Sequence, residues 1–283
     1  LYYRSAVLQA WVAQTVAAQQ IDAAVVFSSS MAPYALAHPG LPMLADLVDV
    51  DSAKWTEYAE RHAWPLSWLY RREGQRLLAY ERRVVAQARR AFLVTDKEVA
   101  LFSRLAPESQ GQVLAVGNGV DAEYFQPDAA RTSPFADEEQ ALVFTGAMDY
   151  WPNVDAVCWF VDQVLPLLRQ RRSGLRLHIV GRSPAPAVQA LASATVCVTG
   201  TVPDVRPYLQ HAAVVVAPLR LARGVQNKVL EAMAMARPVV AAATCVDAID
   251  ARPGHDILAA TDAAEHAERI AELLSDQIGR AHV

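Results

Sequence analysis

Between residues 220 and 231 the sequence gathers Arg220, Arg223, Gly224, Lys228 and Glu231. Glycine lets the backbone come close to a ligand. Free N–H groups at the start of a following helix attract negative charge. Two arginines and a lysine around one point, the arginines able to grip a phosphate bidentately, make an anion the expected ligand. Glu231 follows Lys228 by one helical turn and shares its face. A carboxylate in a phosphate pocket calls for hydroxyl donors, and a ribose offers two. The same spacing also fits a surface Lys228–Glu231 pair worth about 0.2–0.5 kcal/mol, with the arginines solvated.

The elements around this stretch would place it at a sheet edge. Val214–Ala217, closed by Pro218, reads as a buried strand. Gln226–Ala236 is composed of good helix formers, with Val229, Met233 and Ala236 on one face. Arg237–Pro238 stops that helix, because proline lacks the N–H and restricts its predecessor. Val239–Ala241 begins another buried strand. Strand, loop, helix and strand make a βαβ unit, and open parallel sheets bind ligands at the carboxyl ends of their strands.

The segment from Gly224 through Lys228 and Glu231 to Pro238-Val239-Val240 resembles the donor site of group 1 glycosyltransferases, the retaining family four with the GT-B fold. That family carries two glutamates with seven residues between them, leading into Glu-Ala-Met-Ala and Pro-Val-Val. The resemblance places the second glutamate, the ribose ligand, on Glu231. The first, which contacts the donor sugar, falls on Arg223, a departure from the pattern. The Asn227–Met235 variant is closest to sugar transferases of exosortase/PEP-CTERM exopolysaccharide loci.

Other motifs extend the likeness over most of residues 5–277. Asn118-Gly-Val-Asp121 and Phe125-Gln-Pro127 resemble the passage between the family's two domains. Thr145-Gly146 ends a strand at Ala141–Phe144, and Gly181 ends another at Leu175–Val180. Thr199-Gly-Thr-Val202-Pro-Asp-Val205 resembles the segment that edges the nucleotide base. Where most members carry an arginine and a lysine in the loop after Gly146, this chain has Met148 and Asn153. The resemblance therefore implies a donor site of Gly146, Asn153, Gly181, Val202, Val205, Gly224, Val225 and Glu231. Arg220, Arg223 and Lys228 would stabilise the departing diphosphate.

The implied fold is α/β, with two Rossmann-like doubly wound parallel-sheet domains facing across a cleft. Residues 1–127 would be the second half of an acceptor-binding domain, 128–140 a linker and 141–277 the donor domain. Ile278–Val283 resembles a translated sequencing adapter, and together with the missing initiator methionine this leads us to expect a fragment, poorly soluble and inactive.

In the first half, Pro42–Val48 reads as a strand running into Asp49-Val-Asp51-Ser52. Asp49 and Asp51 could serve acceptor hydroxyls or act as a base. Alternatively Asp51 or Ser52 caps the helix through Tyr58. Residues 61–90 hold eight arginines against Glu73 and Glu81, behind Trp64 and Trp68. Such a helix can lie on an anionic membrane surface. It can equally be a solvated helix with Leu77, Tyr80, Val84 and Ala88 facing a core.

Composition bounds the rest. The 283 residues are 53% apolar with a net charge of −4, enough for two cores and against general nucleic-acid binding. Cys158, Cys197 and Cys245 lack metal spacing and read as buried thiols of a reducing compartment. His178 and His211 read as structural. No apolar run reaches transmembrane length. The expected protein is a cytoplasmic glycosyltransferase, with the inner face of the plasma membrane as a candidate position. It would use a nucleotide-sugar donor, a lipid-linked or polysaccharide acceptor, no cofactor and no metal. An epimerase or hydrolase on the same fold, or a non-catalytic nucleotide- or glycan-binding subunit, would use the same cradle.

Overall fold

Short runs of β-branched and small apolar residues alternate along the chain with helical segments, a pattern that builds parallel sheets with crossover helices. The computed structural model describes residues 4–18, 21–60, 62–137, 139–221 and 224–275. It divides into two units, residues 1–117 and 118–283. Both are parallel α/β sheets, the Rossmann-like architecture expected.

The first unit holds β1 (Ala24–Phe27), β2 (Met43–Val48), β3 (Arg90–Leu93) and β4 (Val113–Ala115), paired in that order and all parallel. Its helices are α1 (Ala6–Ala18), α2 (Ala32–Leu36), α3 (Asp51–Glu60), α4 (Leu66–Gln87) and α5 (Asp96–Leu105). Ala45, Leu47, Val84, Val85, Leu93 and Phe102 form the centre of its core. α4 buries Gly74, Glu81, Val84 and Val85; of the face read from the sequence, Val84 and Ala88 are buried, Tyr80 packs against the core and Leu77 is half-buried. Gly74 lets the two helices pack closely: a Cβ there would lie 3.0 Å from Ser52 O and from Thr56 Oγ1 of α3. α5 starts on Thr95, whose side chain accepts from the Glu98 N–H.

The start of α3 is satisfied from a distance rather than by a local cap. Asp51 and Ser52 both lie inside its first turn. Buried Glu81 of α4 accepts from the Ser52 N–H at 3.1 Å and the Ser52 hydroxyl at 2.5 Å. Glu98 of α5 accepts from the Val50 N–H at 2.7 Å. Burial pushes the Glu81 carboxyl up to about 7, against the pull of the Ser52 hydrogen bonds.

The second unit has six strands, β5 (Gln140–Thr145), β6 (Leu175–Val180), β7 (Val196–Gly200), β8 (Val214–Ala217), β9 (Val239–Ala242) and β10 (Leu258–Ala260). They lie in the order β10-β9-β8-β5-β6-β7, all parallel, so the winding reverses between β5 and β8. The helices are α6 (Trp151–Trp159), α7 (Leu165–Arg169), α8 (Pro186–Gln189), α9 (Arg206–His211), α10 (Asn227–Ala234), α11 (Ala243–Val246) and α12 (Ala263–Ser275). Leu142, Phe144, Phe160, Leu177, Ile179, Val215, Val229, Val240 and Ile270 are among the residues of one continuous core.

Between α6 and α7 the chain makes a π turn over Phe160–Val164. Pro166 has no N–H to offer the carbonyl four residues back, and the Leu165 N–H reaches Phe160 O instead. The segment after Gly117 belongs to the second unit, earlier than the boundary at 127 read from the sequence. Gln210 of α9 exchanges hydrogen bonds with both backbone groups of Asp128, and the Arg206 guanidinium stacks on Tyr124 with its carbon 4.0 Å from the ring centroid. Asp128 and Arg131, in the stretch read as a linker, are thus tied to α9 by side chains. His211 bonds Arg131 O at 2.8 Å, and His178 bonds Glu139 at 2.5 Å, so both histidines have structural partners.

Candidate active site

The winding reversal opens a crevice at the carboxyl ends of β5 and β8, where doubly wound sheets bind their ligands. A cavity of about 590 Å3 lies there, within the size range of a ligand site. Its walls come from the loop after β5 (Thr145, Gly146, Tyr150, Asn153), the loop after β6 (Gly181, Arg182), the loop after β7 (Thr201, Val202, Val205) and the start of α10 (Val225 to Lys228, then Glu231). Asn118 joins them and donates to Asn227 Oδ1 at 3.2 Å.

Two glycines shape the floor. Gly146 has φ +153° and Gly181 φ +152°, a region closed to ordinary side chains. A Cβ on Gly181 would fall 1.7 Å from Gly146 O, so the two loops touch backbone to backbone. A Cβ on Gly146 would meet Asn153 Nδ2 at 2.8 Å and Lys228 Nζ at 3.1 Å. Gly224, with φ +64°, turns the chain into α10.

Lys228 is buried in the first turn of α10. Its ammonium donates to Asn153 Oδ1 at 2.6 Å and stands 4.1 Å from the centroid of the Phe144 ring. Among the described residues it forms no ion pair. Burial pushes it down to about 7, opposed by the charge of Glu231 one turn on. Cys245 is also close, but burial pushes that thiol up to about 12, so it is neutral at physiological pH. Glu231 is itself pushed up by burial and pulled down by Lys228. The hydroxyl of Thr145 is buried without a hydrogen-bond partner. A buried lysine amine without an ion-pair partner among the described residues, a helix start and open glycine backbone together suit an anionic ligand, whose charge would favour the protonated amine.

The structure thus brings Gly146, Asn153, Gly181, Val202, Val205, Val225, Lys228 and Glu231 around one cavity, with Gly224 beside it. Arg220 is not among the residues that line it. Its guanidinium grips Asp155 of α6 at 2.7 and 2.9 Å and lies over the Trp159 ring. A nearby carboxylate and an aromatic face hold it better than an open loop could. Arg223 lies outside the described residues. Asp49 and Asp51 belong to the first unit, where both bind Lys54, at 2.8 and 3.0 Å. That lysine bonds one oxygen of each carboxylate and offsets one of the two charges. Cys158 and Cys197 are only half buried, while Cys245 is fully buried, and all three are free.

Arg182, exposed at the cavity rim, was not singled out from the sequence. Its signal was available: it directly follows Gly181 at a strand's carboxyl end. Among the described residues no group of histidine, cysteine or carboxylate side chains is placed to hold a metal ion. None of their helices is long and apolar enough to cross a membrane.

Solved structures with this fold are numerous. The chain is similar to a sucrose-phosphate synthase from Thermosynechococcus elongatus, with a TM-score of 0.77 and 17% identity over 98% of this chain and 70% of that one. It is also similar to WaaG, described as a glycosyltransferase involved in lipopolysaccharide biosynthesis, with a TM-score of 0.66 and 19% identity over 96% and 74%. HepE of Anabaena, solved in complex with UDP-glucose, aligns with a TM-score of 0.66 and 14% identity over 97% and 74%. These likenesses establish the GT-B fold. No protein of curated function matches the chain. Residues 139–276, the second unit from its first strand to its last helix, match the family described as glycosyl transferases group 1.

Proposed function

We propose that this protein transfers a sugar from a nucleotide-diphosphate donor to a lipid-linked or exopolysaccharide glycan, with retention at the anomeric carbon. The observation that carries the reading is the buried Lys228 side chain above the Gly146 backbone, without an ion-pair partner among the described residues, with Glu231 one turn along the same helix. In this reading the diphosphate lies against the Gly146 and Gly181 loops. Lys228, the α10 N-terminus and Arg182 at the rim draw off the negative charge that develops as the glycosidic bond breaks. Glu231 accepts from the ribose hydroxyls, and Val202 and Val205 flank the base. Arg223 would join from the loop before α10. With these cations in place no metal is required. Anabaena HepE, crystallised with UDP-glucose, is consistent with a nucleotide-sugar donor.

The acceptor side of the proposal rests on the first unit. Trp64 is 81% and Trp68 59% exposed at the start of α4, beside Leu66, Leu69 and exposed Arg71 and Arg76. Indole rings and arginines in this arrangement suit the headgroup layer of an anionic bilayer, where a lipid-linked acceptor would be met. A cytoplasmic enzyme at the inner membrane face, of the exosortase-associated kind by its Asn227–Met235 segment, belongs to the same proposal.

The test is calorimetric titration of the whole chain with UDP, GDP and ADP, repeated for Glu231→Ala. Binding of one nucleotide, weakened about tenfold by the substitution, is expected. A folded protein that binds none of them would overturn the donor reading.

A further inference from the structure

The tips of Lys228 and Asn153 meet at one point. Their 2.6 Å hydrogen bond joins residues on different helices, and both stand over Gly146. Asn153 is buried and held at two further points. Its Nδ2 donates to Ala147 O at 2.9 Å, and its backbone N–H donates to Tyr150 O at 2.9 Å. Oδ1 is therefore an oriented acceptor. A lysine stem has four rotatable bonds, and an ammonium with no ion-pair partner needs such an anchor to stay in one place. An ammonium also has three hydrogens. The bond to Asn153 uses one and leaves two for an incoming anion. Among the described residues, the other charged or titratable groups around it are Glu231 on its own helix, the Cys245 thiol of α11 and Arg182 at the rim.

We propose that Asn153 is a positioning residue of the diphosphate site. It acts through Lys228 by holding the ammonium over the Gly146 backbone. Because both side chains reach this point, the cation can be supplied from position 153 as well as from 228. The proposal rests on the donor reading above.

The test uses the whole chain and compares UDP, GDP and ADP with the matching nucleosides by calorimetry, alongside thermal melting. Lys228→Met is expected to lower diphosphate affinity to near that of the nucleoside. Asn153→Ala is expected to lose about tenfold in diphosphate affinity with nucleoside affinity unchanged. The near-isosteric Asn153→Asp, which pairs and neutralises the ammonium, is expected to lose more. The exchange Asn153→Lys with Lys228→Asn is expected to regain most of the loss seen in Lys228→Met. A purely structural Asn153 would lower nucleoside and diphosphate affinity together, and the exchange would rescue nothing. Wild-type diphosphate affinity in a folded Asn153→Ala or Asn153→Asp protein, or a folded exchange variant no better than Lys228→Met, would overturn the proposal while leaving the donor reading intact. Wild-type protein that binds no nucleotide would remove both.

Discussion

Alanine at Gly181 and at Gly146 separates the scaffold of the site from its chemistry. At Gly181 two costs add. A side chain at φ +152° is strained, by about 1–3 kcal/mol. The new Cβ would also lie 1.7 Å from Gly146 O, a backbone atom that can retreat only if β5 and β6 part at their ends. Overpacking of this sort adds about 1–3 kcal/mol or more. A total of about 2–6 kcal/mol is a large part of the 5–15 kcal/mol that holds an ordinary domain together. In a unit of this size it lowers the melting temperature by roughly 4–24 °C. Gly146→Ala carries the same φ strain, but its Cβ meets the ends of Asn153 and Lys228, at 2.8 and 3.1 Å, and these can move. Its stability loss is therefore smaller, about 1–3 kcal/mol. Its binding loss is larger than that of a mere destabilisation, because displacing the ammonium costs at least tenfold, or about 1.4 kcal/mol, in diphosphate affinity. Differential scanning calorimetry and UDP titration of both variants read the two quantities. A Gly181→Ala protein that melts with the wild type, or a Gly146→Ala protein that melts lower than Gly181→Ala yet binds normally, would refute the backbone-contact argument.

The remaining expectations concern charge and surface. Lys228 is held below its unfolded value of 10.5, so the unfolded chain binds the extra proton and stability rises as pH climbs from about 7 toward 10.5. Lys228→Met should flatten that rise, on the order of 4–5 kcal/mol, in urea melts across the window. Glu81 is the opposite case. Its raised value gives stability that is full below about 4.5 and lost as pH rises through about 7, a span of about 3 kcal/mol that Glu81→Gln should remove from the pH profile. Asp155→Ala should release Arg220 and change donor KM with little effect on unfolding, since exposed ion pairs contribute only about 0–1 kcal/mol. Normal KM in that variant would show that the pair does not position the loop before α10. Replacing Trp64 and Trp68 by serine should abolish co-sedimentation with phosphatidylglycerol vesicles and leave nucleotide binding unchanged. Retained sedimentation would remove the membrane face.

What the sequence made legible was local. The strands around the reversal could be read because Val214–Ala217 and Val239–Ala242 are continuous apolar runs, the mark of strands buried on both faces, and because Leu175, Leu177 and Ile179 alternate with Arg176 and His178. The cavity glycines could be read because they sit one residue past such runs. Of the α10 face read from the sequence, Val229 is buried and Met233 packs against the core, but Ala236 departs from it. The buried face runs through Lys228, Val229 and Ala232, while Ala236 is exposed beyond the helix with φ +51°, in the turn that Pro238 imposes. Partnerships between distant residues were not legible. Asp155 takes Arg220 from 65 positions away, and Asn153 meets Lys228 across 75. Glu81 caps α3 from 29 positions along the chain. No periodicity encodes such pairs, because they exist only once the sheets are wound.

The order of the strands in the second unit also sets a timetable for the ribosome. β5 is the first strand of its sheet to be made, yet it ends up in the middle, with β6 on one side and β8 on the other. While β6 and β7 emerge they can zip onto it by nearby crossovers. Its other edge, Leu142 and Val143, stays open until Val214 and Val215 leave the exit tunnel. A nascent chain with that bare apolar edge is exposed to mispairing with its neighbours on a polysome. Slowed synthesis between β7 and β8 would lengthen the dangerous interval, whereas a fast passage through that stretch would shorten it.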